Sequence, residues 1–290
     1  MKWFDYASPA TVPEAVKLLA QHGARAHLLA GGTDLLVQLR AGRREADVVV
    51  DIKNIPELNE LRYDPAKGLT LGAAVPCYRI YNDHVVGRAY PGLHDVASLI
   101  GGTQIQGRAS IGGNLCNAAP SADAIPMLIA LGAKCRIATP AGDREMPVEE
   151  FCTAPGRNAM APGELLVSLH LPPPQPRSGA RYLRFIPRNE MDIAVAGAGV
   201  SVVLEDGVFK SARIALASVA PTPLFVEAAG KALAGKPVND ESMRAAAEIA
   251  KAAARPITDM RGTIEYRKHL CAVLTRRALE SAVARAKETY

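Results

Sequence analysis

The chain has 290 residues, of which 49% are hydrophobic, 22% charged and only 5% aromatic, and 34 Lys and Arg against 29 Asp and Glu leave a net charge of +5. These fractions exclude a largely disordered or collagen-like chain, and at about 150 residues per domain the length predicts two domains. The densest basic cluster, Arg40, Arg43 and Arg44, runs straight into Glu45 and Asp47 with no interleaved aromatics, which argues against a nucleic-acid partner.

In chain order, MKWFDYASPATVPEAVKLL carries charges at Lys2 and Asp5 and no long apolar run, so neither a secretory signal nor a membrane anchor is expected, and a cytoplasmic location is. Thr11-Val12-Pro13-Glu14 reads as a capping box, opening a short amphipathic helix with Val16, Leu18 and Leu19 that Gly23 ends. Ala26 to Ala30 is a brief apolar strand, followed by a glycine turn and a helix from Asp34 to Arg40. Asp47 to Ile52 is valine-rich and continuous enough to be buried on both faces, as a parallel strand is. Leu61 to Tyr63 and Leu69 to Leu71 flank an Asp64-Pro65 turn and read as a hairpin.

Residues 91–100 are expected to be helical, Ala109 to Ile111 extended and broken by Gly112-Gly113-Asn114, and Ser121 to Leu131 helical with an interruption at Pro126. Lys134 to Ala138, Glu164 to Leu171 and Arg181 to Ile186 are expected strands. Leu171-Pro172-Pro173-Pro174-Gln175-Pro176 forces an extended path and marks a domain boundary. Beyond it, Ile193 to Leu204 and Lys210 to Val219 pair around Glu205-Asp206-Gly207, and three helices follow near 224–234, 240–254 and 261–287. Strands followed by helices indicate a separate α+β domain. The longest apolar stretches are too short and too glycine-broken to span a bilayer.

Two segments suggest chemistry. In Leu28-Leu29-Ala30-Gly31-Gly32-Thr33-Asp34-Leu35, two glycines between a strand and a helix let the backbone approach a ligand closely and offer unpaired amides to a phosphate; an ordinary tight turn is the alternative. Ser110-Ile111-Gly112-Gly113-Asn114 repeats that design, and two such loops could grip both phosphates of a dinucleotide from opposite sides. Asp123 could accept hydrogen bonds from sugar or ribityl hydroxyls, or serve only as an acid in the first turn of a helix.

Other patterns carry less. Gly197-Ala198-Gly199 has part of a Rossmann fingerprint but lacks the third glycine and runs into a strand. The six histidines form no metal-ligand pair, and no nucleophile elbow surrounds Ser201. Cys116 reads as a small residue filling a tight loop rather than an activated thiol. Cys77, Cys116, Cys135, Cys152 and Cys271 contain no Cys-x-x-Cys pair, so local spacing offers neither an iron–sulfur cluster nor a structural zinc, and reduced thiols are expected.

Taken together, LLAGGTDLL (28–36), GGTQIQGRASIGGNLCNAAPSADAIP (101–126), YLRFIPRNEMDIAVAGAGV (182–200), ALASVAPTP (215–223) and RGTIEYRKHL (261–270) resemble the FAD-binding medium subunit of the molybdenum hydroxylases, the xanthine dehydrogenase and carbon monoxide dehydrogenase family. The five blocks keep their order across nearly the whole chain. The resemblance implies an α+β architecture: a vanillyl-alcohol-oxidase-type FAD-binding domain of two α/β subdomains over 1–175, then an α+β C-terminal domain of strands and helices over 176–290.

It also implies a site. Leu28, Leu29, Ala30, Gly31, Gly32, Thr33, Asp34 and Leu35 would wrap the pyrophosphate of FAD from one side, and Ser110, Ile111, Gly112, Gly113 and Asn114 from the other. Ile100 would lie near the flavin, Asp123 would match the ribityl-binding acid, and Leu166 and Arg184 are further carry-overs, the family frequently having Lys near the place of Arg184. The implied function is that of a flavoprotein subunit, passing electrons from an iron–sulfur partner through FAD to an external acceptor, with no side chain acting as general acid or base. Its partners would be an iron–sulfur small subunit and a molybdopterin large subunit, arranged as a dimer of heterotrimers. The alternatives are a stand-alone FAD-dependent oxidoreductase of the same fold and a scaffold subunit that has lost its flavin.

Overall fold

A computed structural model describes residues 2–288; the outermost residues of the two expected domains, Met1, Thr289 and Tyr290, lie outside the described residues. The chain opens on a parallel sheet, β1 (Asp5–Ala7), β2 (Ala26–Leu29) and β3 (Val48–Asp51), in the order β1-β3-β2, with helices α1 (Val12–His22) and α2 (Leu35–Arg40) as crossovers. The valines of β3 are buried on both faces, as expected. Val48 and Val50 pack on Val12, Val16 and Leu19 of α1, while Val49 joins Leu29 and Leu39 on the opposite side. At the start of α1 the Thr11 hydroxyl accepts from the Glu14 amide at 3.4 Å, but the Glu14 carboxylate reaches one residue beyond the expected capping box, to the amide of Ala10.

A five-stranded antiparallel sheet comes next. The hairpin β4 (Leu61–Asp64) and β5 (Gly68–Gly72) leads into six short helices: α3 (Cys77–Asn82), α4 (His84–Ala89), α5 (Pro91–Ala97), α6 (Thr103–Gln106), α7 (Ile111–Asn117) and α8 (Ala124–Ala130). The chain then forms β6 (Lys134–Thr139), β7 (Gly142–Pro147), a small hairpin of β8 (Cys152–Ala154) and β9 (Arg157–Asn158), and β10 (Leu165–Leu171), giving the sheet order β4-β5-β10-β6-β7. Leu165 and Val167 of β10 meet the valines of β3, which joins the two sheets.

Three expectations shift here. Gly112-Gly113-Asn114 does not break an extended segment; it forms the first turn of α7, because the Ser110 hydroxyl caps the Gly113 amide at 3.0 Å and Gly112 fits against the Ala73 carbonyl. The expected helix at Ser121 begins at Ala124, one residue after Asp123, and places Pro126 in its first turn, where no intrahelical amide is needed. The helix expected over 91–100 ends at Ala97.

After the proline run come β11 (Ser178–Phe185), β12 (Ala196–Glu205), β13 (Val208–Ala217) and β14 (Leu224–Phe225), antiparallel in sequence order, then α9 (Glu227–Leu233), α10 (Asp240–Ala253) and α11 (Ile264–Glu288). α11 lies along β11 and β12, with Ala278, Leu279 and Ala282 fully buried. Gly197-Ala198-Gly199 turns out to serve packing. A Cβ on Gly199 would come within 2.7 Å of the Pro126 backbone in α8, and one on Gly197 within 2.5 Å of the Tyr182 hydroxyl.

Asp95 of α5 ties the late elements to the early ones. Its carboxylate takes the guanidinium of Arg181 at 3.0 Å, both terminal nitrogens of Arg285 at 2.7 and 2.9 Å, and the Tyr182 amide at 3.3 Å. Its side chain is only 9% exposed. Asp95→Ala removes the acceptor shared by two guanidiniums that are 33% and 25% exposed, and is expected to cost about 1–3 kcal/mol. Urea unfolding of the variant and of the wild type measures the loss.

Candidate functional site

The glycine loop after β2 and the glycine turn that opens α7 face each other across a cavity of about 420 Å³. That volume is within the range of cofactor sites. The loops also touch directly. The Arg108 carbonyl lies 2.2 Å from where a Gly31 Cβ would be, and the Arg108 side chain returns a 2.9 Å hydrogen bond to the Gly31 carbonyl. Gly31 is therefore glycine because the second loop occupies its side-chain space. Gly32 has φ +77°, a left-handed conformation that glycine adopts without strain. A third link joins the helices behind the loops, Gln38 Nε2 to Asn117 Oδ1 at 3.2 Å.

Most of the expected site residues line this cavity: Leu28, Ala30, Gly31, Gly32, Thr33, Asp34 and Leu35 on one wall, Ser110, Gly112, Gly113 and Asn114 on the other, with Ile100 and Leu166. The amides of Thr33, Asp34, Leu35 and Gly112 have no hydrogen-bond acceptor among the described residues, so donors stand on both walls. Gly113 differs from its neighbour. A Cβ there would meet only the Ser110 hydroxyl, at 3.0 Å, whereas one on Gly112 would collide with the Ala73 backbone at 2.4 Å. Burial raises the carboxyl of Asp34 above its ordinary range.

Four expected residues stand off the cavity wall. Leu29 and Ile111 are buried in the hydrophobic core. Asp123 and Arg184 form a buried pair, Arg184 Nη1 donating to Asp123 Oδ2 at 2.5 Å, while the Tyr182 hydroxyl donates to Oδ1 at 2.7 Å. Burial raises the Asp123 carboxyl, against the opposing pull of Arg184 and Tyr182. Asn114 connects this pair to the cavity, because its Oδ1 accepts from the Ala124 amide at 3.2 Å, next to Asp123.

The walls also hold residues outside both motifs. His27 precedes the first motif by one position, and Arg44 belongs to the basic cluster that had suggested no ligand. Asn158 ends β9 and Glu164 directly precedes β10, with nothing in the local sequence to announce them as cavity residues. Asn158 donates to the Cys116 carbonyl at 2.8 Å, and Glu164 is held by a two-pronged pair with Arg144 at 2.9 and 2.7 Å and by the Ala161 amide. Cys116 also lines the cavity, its thiol pushed up to about 12 by burial, which favours the protonated form at neutral pH.

Comparison with known proteins decides what this geometry belongs to. Residues 2–174 match the family of the FAD binding domain in molybdopterin dehydrogenase, and residues 181–282 the CO dehydrogenase flavoprotein C-terminal domain. The chain belongs to the flavoprotein subunits of the molybdenum hydroxylases. It is 34% identical to the xanthine dehydrogenase FAD-binding subunit of Escherichia coli O157:H7 and 32% identical to the carbon monoxide dehydrogenase medium chain of Afipia carboxidovorans, each match covering 98% of both chains. Among solved structures it superposes on carbon monoxide dehydrogenase from Hydrogenophaga pseudoflava, in the form lacking the Mo-pyranopterin moiety, with a TM-score of 0.94 at 33% identity over 98% of both chains. As a molybdenum-hydroxylase flavoprotein it is the FAD subunit of a multi-subunit oxidoreductase, and its N-terminal domain is an FAD-binding domain. Among the described residues no helix is long and apolar enough to cross a membrane.

The two second-loop glycines separate binding from folding. Gly113→Val is expected to reduce flavin content at least tenfold while leaving the melting temperature of the flavin-free protein nearly unchanged, whereas Gly112→Val, which collides with backbone, should lower that melting temperature. Flavin absorbance and calorimetry on soluble protein distinguish them. Glu164 adds a pH dependence. Its carboxyl is held below the ordinary 4.5 by Arg144, so the pair's contribution is complete above that value and lost as pH falls through the lower folded-state value. Glu164→Gln should therefore show a smaller drop in melting temperature below pH 4.5 than the wild type.

Proposed function

We propose that the two glycine loops hold the pyrophosphate of FAD between them, with the isoalloxazine toward Ile100 and Leu166. The observation that carries this reading is the pair of loops, each with unpaired amides, facing one another across a single cavity inside an FAD-binding domain. The amides of Thr33, Asp34 and Leu35 on one wall and Gly112 on the other are fixed donors for phosphate oxygens. Gly113 keeps the backbone close, and Ser110 and Asn114 hold the turn in shape. Leu29 and Ile111 support the loops from the core. Asp123 and Arg184 act as positioning residues: their buried pair fixes the start of α8, to which Asn114 is bonded.

Bound there, FAD would supply the redox chemistry, taking up electrons singly and giving them up as a pair. The protein's part is to hold and orient the flavin and to shield it from water, and no side chain on the cavity wall is required as an acid or base. In this reading the electrons come from an iron–sulfur small subunit, which itself receives them from a molybdopterin large subunit, in a cytoplasmic dimer of heterotrimers, and they leave to an external acceptor. Support comes from the medium-chain relative and from the likeness to a carbon monoxide dehydrogenase over the whole chain. The division into domains at 1–175 and 176–290 is part of the proposal; it is supported by the proline run and by family matches that stop and restart on either side of it.

Acid-released cofactor is expected to chromatograph as FAD. The isolated subunit should keep its flavin oxidised when mixed anaerobically with the substrate of the complex, and bleach only after the iron–sulfur and molybdopterin subunits are added. Bleaching of the lone subunit at the rate of the complex would overturn the relay.

A further inference from the structure

A second cavity, of about 420 Å³, lies where the short helices α3, α4 and α5 meet the end of α11, and it shares no residue with the cavity between the glycine loops. Its walls carry His84 and Arg88 from α4, His94 from α5 and Arg285 from α11. His84 and Arg88 are four positions apart, which puts them on one face of α4. The His94 ring arrives at the same place from α5: it is 3.7 Å from where a Gly87 Cβ would be, and its centroid is 6.5 Å from that of Tyr81, edge to face.

The charges here are unevenly matched. Asp95 is shared by Arg181 and Arg285, so one carboxylate answers two guanidiniums. Arg88 is exposed and has neither an ion pair nor a hydrogen bond among the described residues. Asp83, the carboxylate on the wall, has its Oδ1 turned to the Val85 and Val86 amides, each at 3.0 Å, where it caps α4. Three guanidiniums in this group therefore face two carboxylates, before any proton on the imidazoles is counted.

Gly87 points to a ligand independently of charge. It lies inside α4 without a left-handed backbone, and a Cβ there would make only an ordinary contact with His94. Neither conformation nor packing requires glycine at this position, and glycine weakens a helix. The missing side chain keeps the floor of the cavity open.

We propose that this cavity binds a phosphate monoester, its phosphate held by the Arg88 guanidinium and by ring N–H groups of His84 and His94, its organic part against Tyr81 and Pro91. A guanidinium fork matches two phosphate oxygens, and an imidazole can donate from a ring nitrogen in either protonation state. The volume admits more than a phosphate group alone, and Tyr81 and Pro91 give the rest of the ligand an apolar wall.

The test is calorimetric titration of the FAD-loaded protein, so that the glycine-loop cavity is closed to the probe, with phenyl phosphate as the probe and phenol and inorganic phosphate in parallel. Wild type should bind phenyl phosphate more tightly than inorganic phosphate, and phenol not at all. Arg88→Gln is expected to weaken phenyl phosphate about fivefold, as for an exposed charge-assisted contact, and Arg88→Lys, which keeps the charge without the fork, by less. Gly87→Leu fills the floor and should abolish binding while the protein unfolds at no lower a urea concentration than wild type, since leucine favours a helix. Flavin content should stay at the wild-type level in all three variants. No binding of phenyl phosphate to wild type, or binding that survives both Arg88→Gln and Gly87→Leu unchanged, would overturn the assignment. An Arg88 that serves only the end of α4 would alter unfolding and leave the titration as it was, which would overturn it equally.

Discussion

The Arg108 carbonyl occupies the space that a side chain on Gly31 would fill, and the geometry of the site follows from that contact. Two turns 77 residues apart along the chain approach closely enough to present their amides to one volume. Such an approach requires rigid supports on both sides. The first turn ends a strand whose neighbour, β3, is buried on both faces, and the second opens a helix whose glycine rests on Ala73, just beyond β5. The valines of β3 and the apolar residues of β10 then bind the two sheets together, so a shift in either support would open the cavity.

Charged groups make up much of the seam between the first 171 residues and the later sheet. Asp123 with Tyr182 and Arg184, Asp95 with Arg181 and Arg285, and Glu149 with Arg213 all cross it, and Arg213 also lies 4.3 Å above the Phe225 ring. Ion pairs that lose water gain little net stability over apolar packing, but separating them leaves a dry, unpaired charge. They therefore favour one arrangement of the two parts over sliding alternatives. The small residues of β12 act in the same direction, since Gly199 admits the α8 backbone and a larger residue would lift the helix away.

Much of this was legible in the sequence. Val48 to Val50 announced a doubly buried strand, the prolines from 172 to 176 marked where the architecture changes, and the paired Gly-Gly motifs picked out the two turns that line one cavity. The local pattern misled at Gly112-Gly113, where the decisive facts, the Ser110 cap and the Ala73 carbonyl, are a side-chain choice and a contact from distant sequence. β7 reads Gly-Asp-Arg-Glu-Met-Pro and shows no alternation of apolar residues because it is a solvent-facing edge strand. Arg44 and Glu164 carried no local signal as cavity residues: one looked like part of a solvated basic cluster, and the other reaches the wall through a segment from between two later strands. Asp123 was singled out as an acceptor for sugar or ribityl hydroxyls, whereas its carboxylate is taken by Tyr182 and Arg184, which lie about 60 positions away, beyond the reach of any local reading.

The Asp95–Arg285 contact spans 190 positions, which gives it a place in the order of folding. Closing so long a loop carries an entropic cost that grows only with the logarithm of its length, so the contact is most readily made once the intervening chain is already compact. The parallel sheet, the five-stranded sheet and the later sheet with its helices rely mainly on nearer partners and can organise first, with β11 docking onto α5 and Arg285 of α11 closing on Asp95 as a last step. Interruption before that step would leave the flank of α5 and one face of β11 uncovered, surfaces suited to association with another partly folded copy.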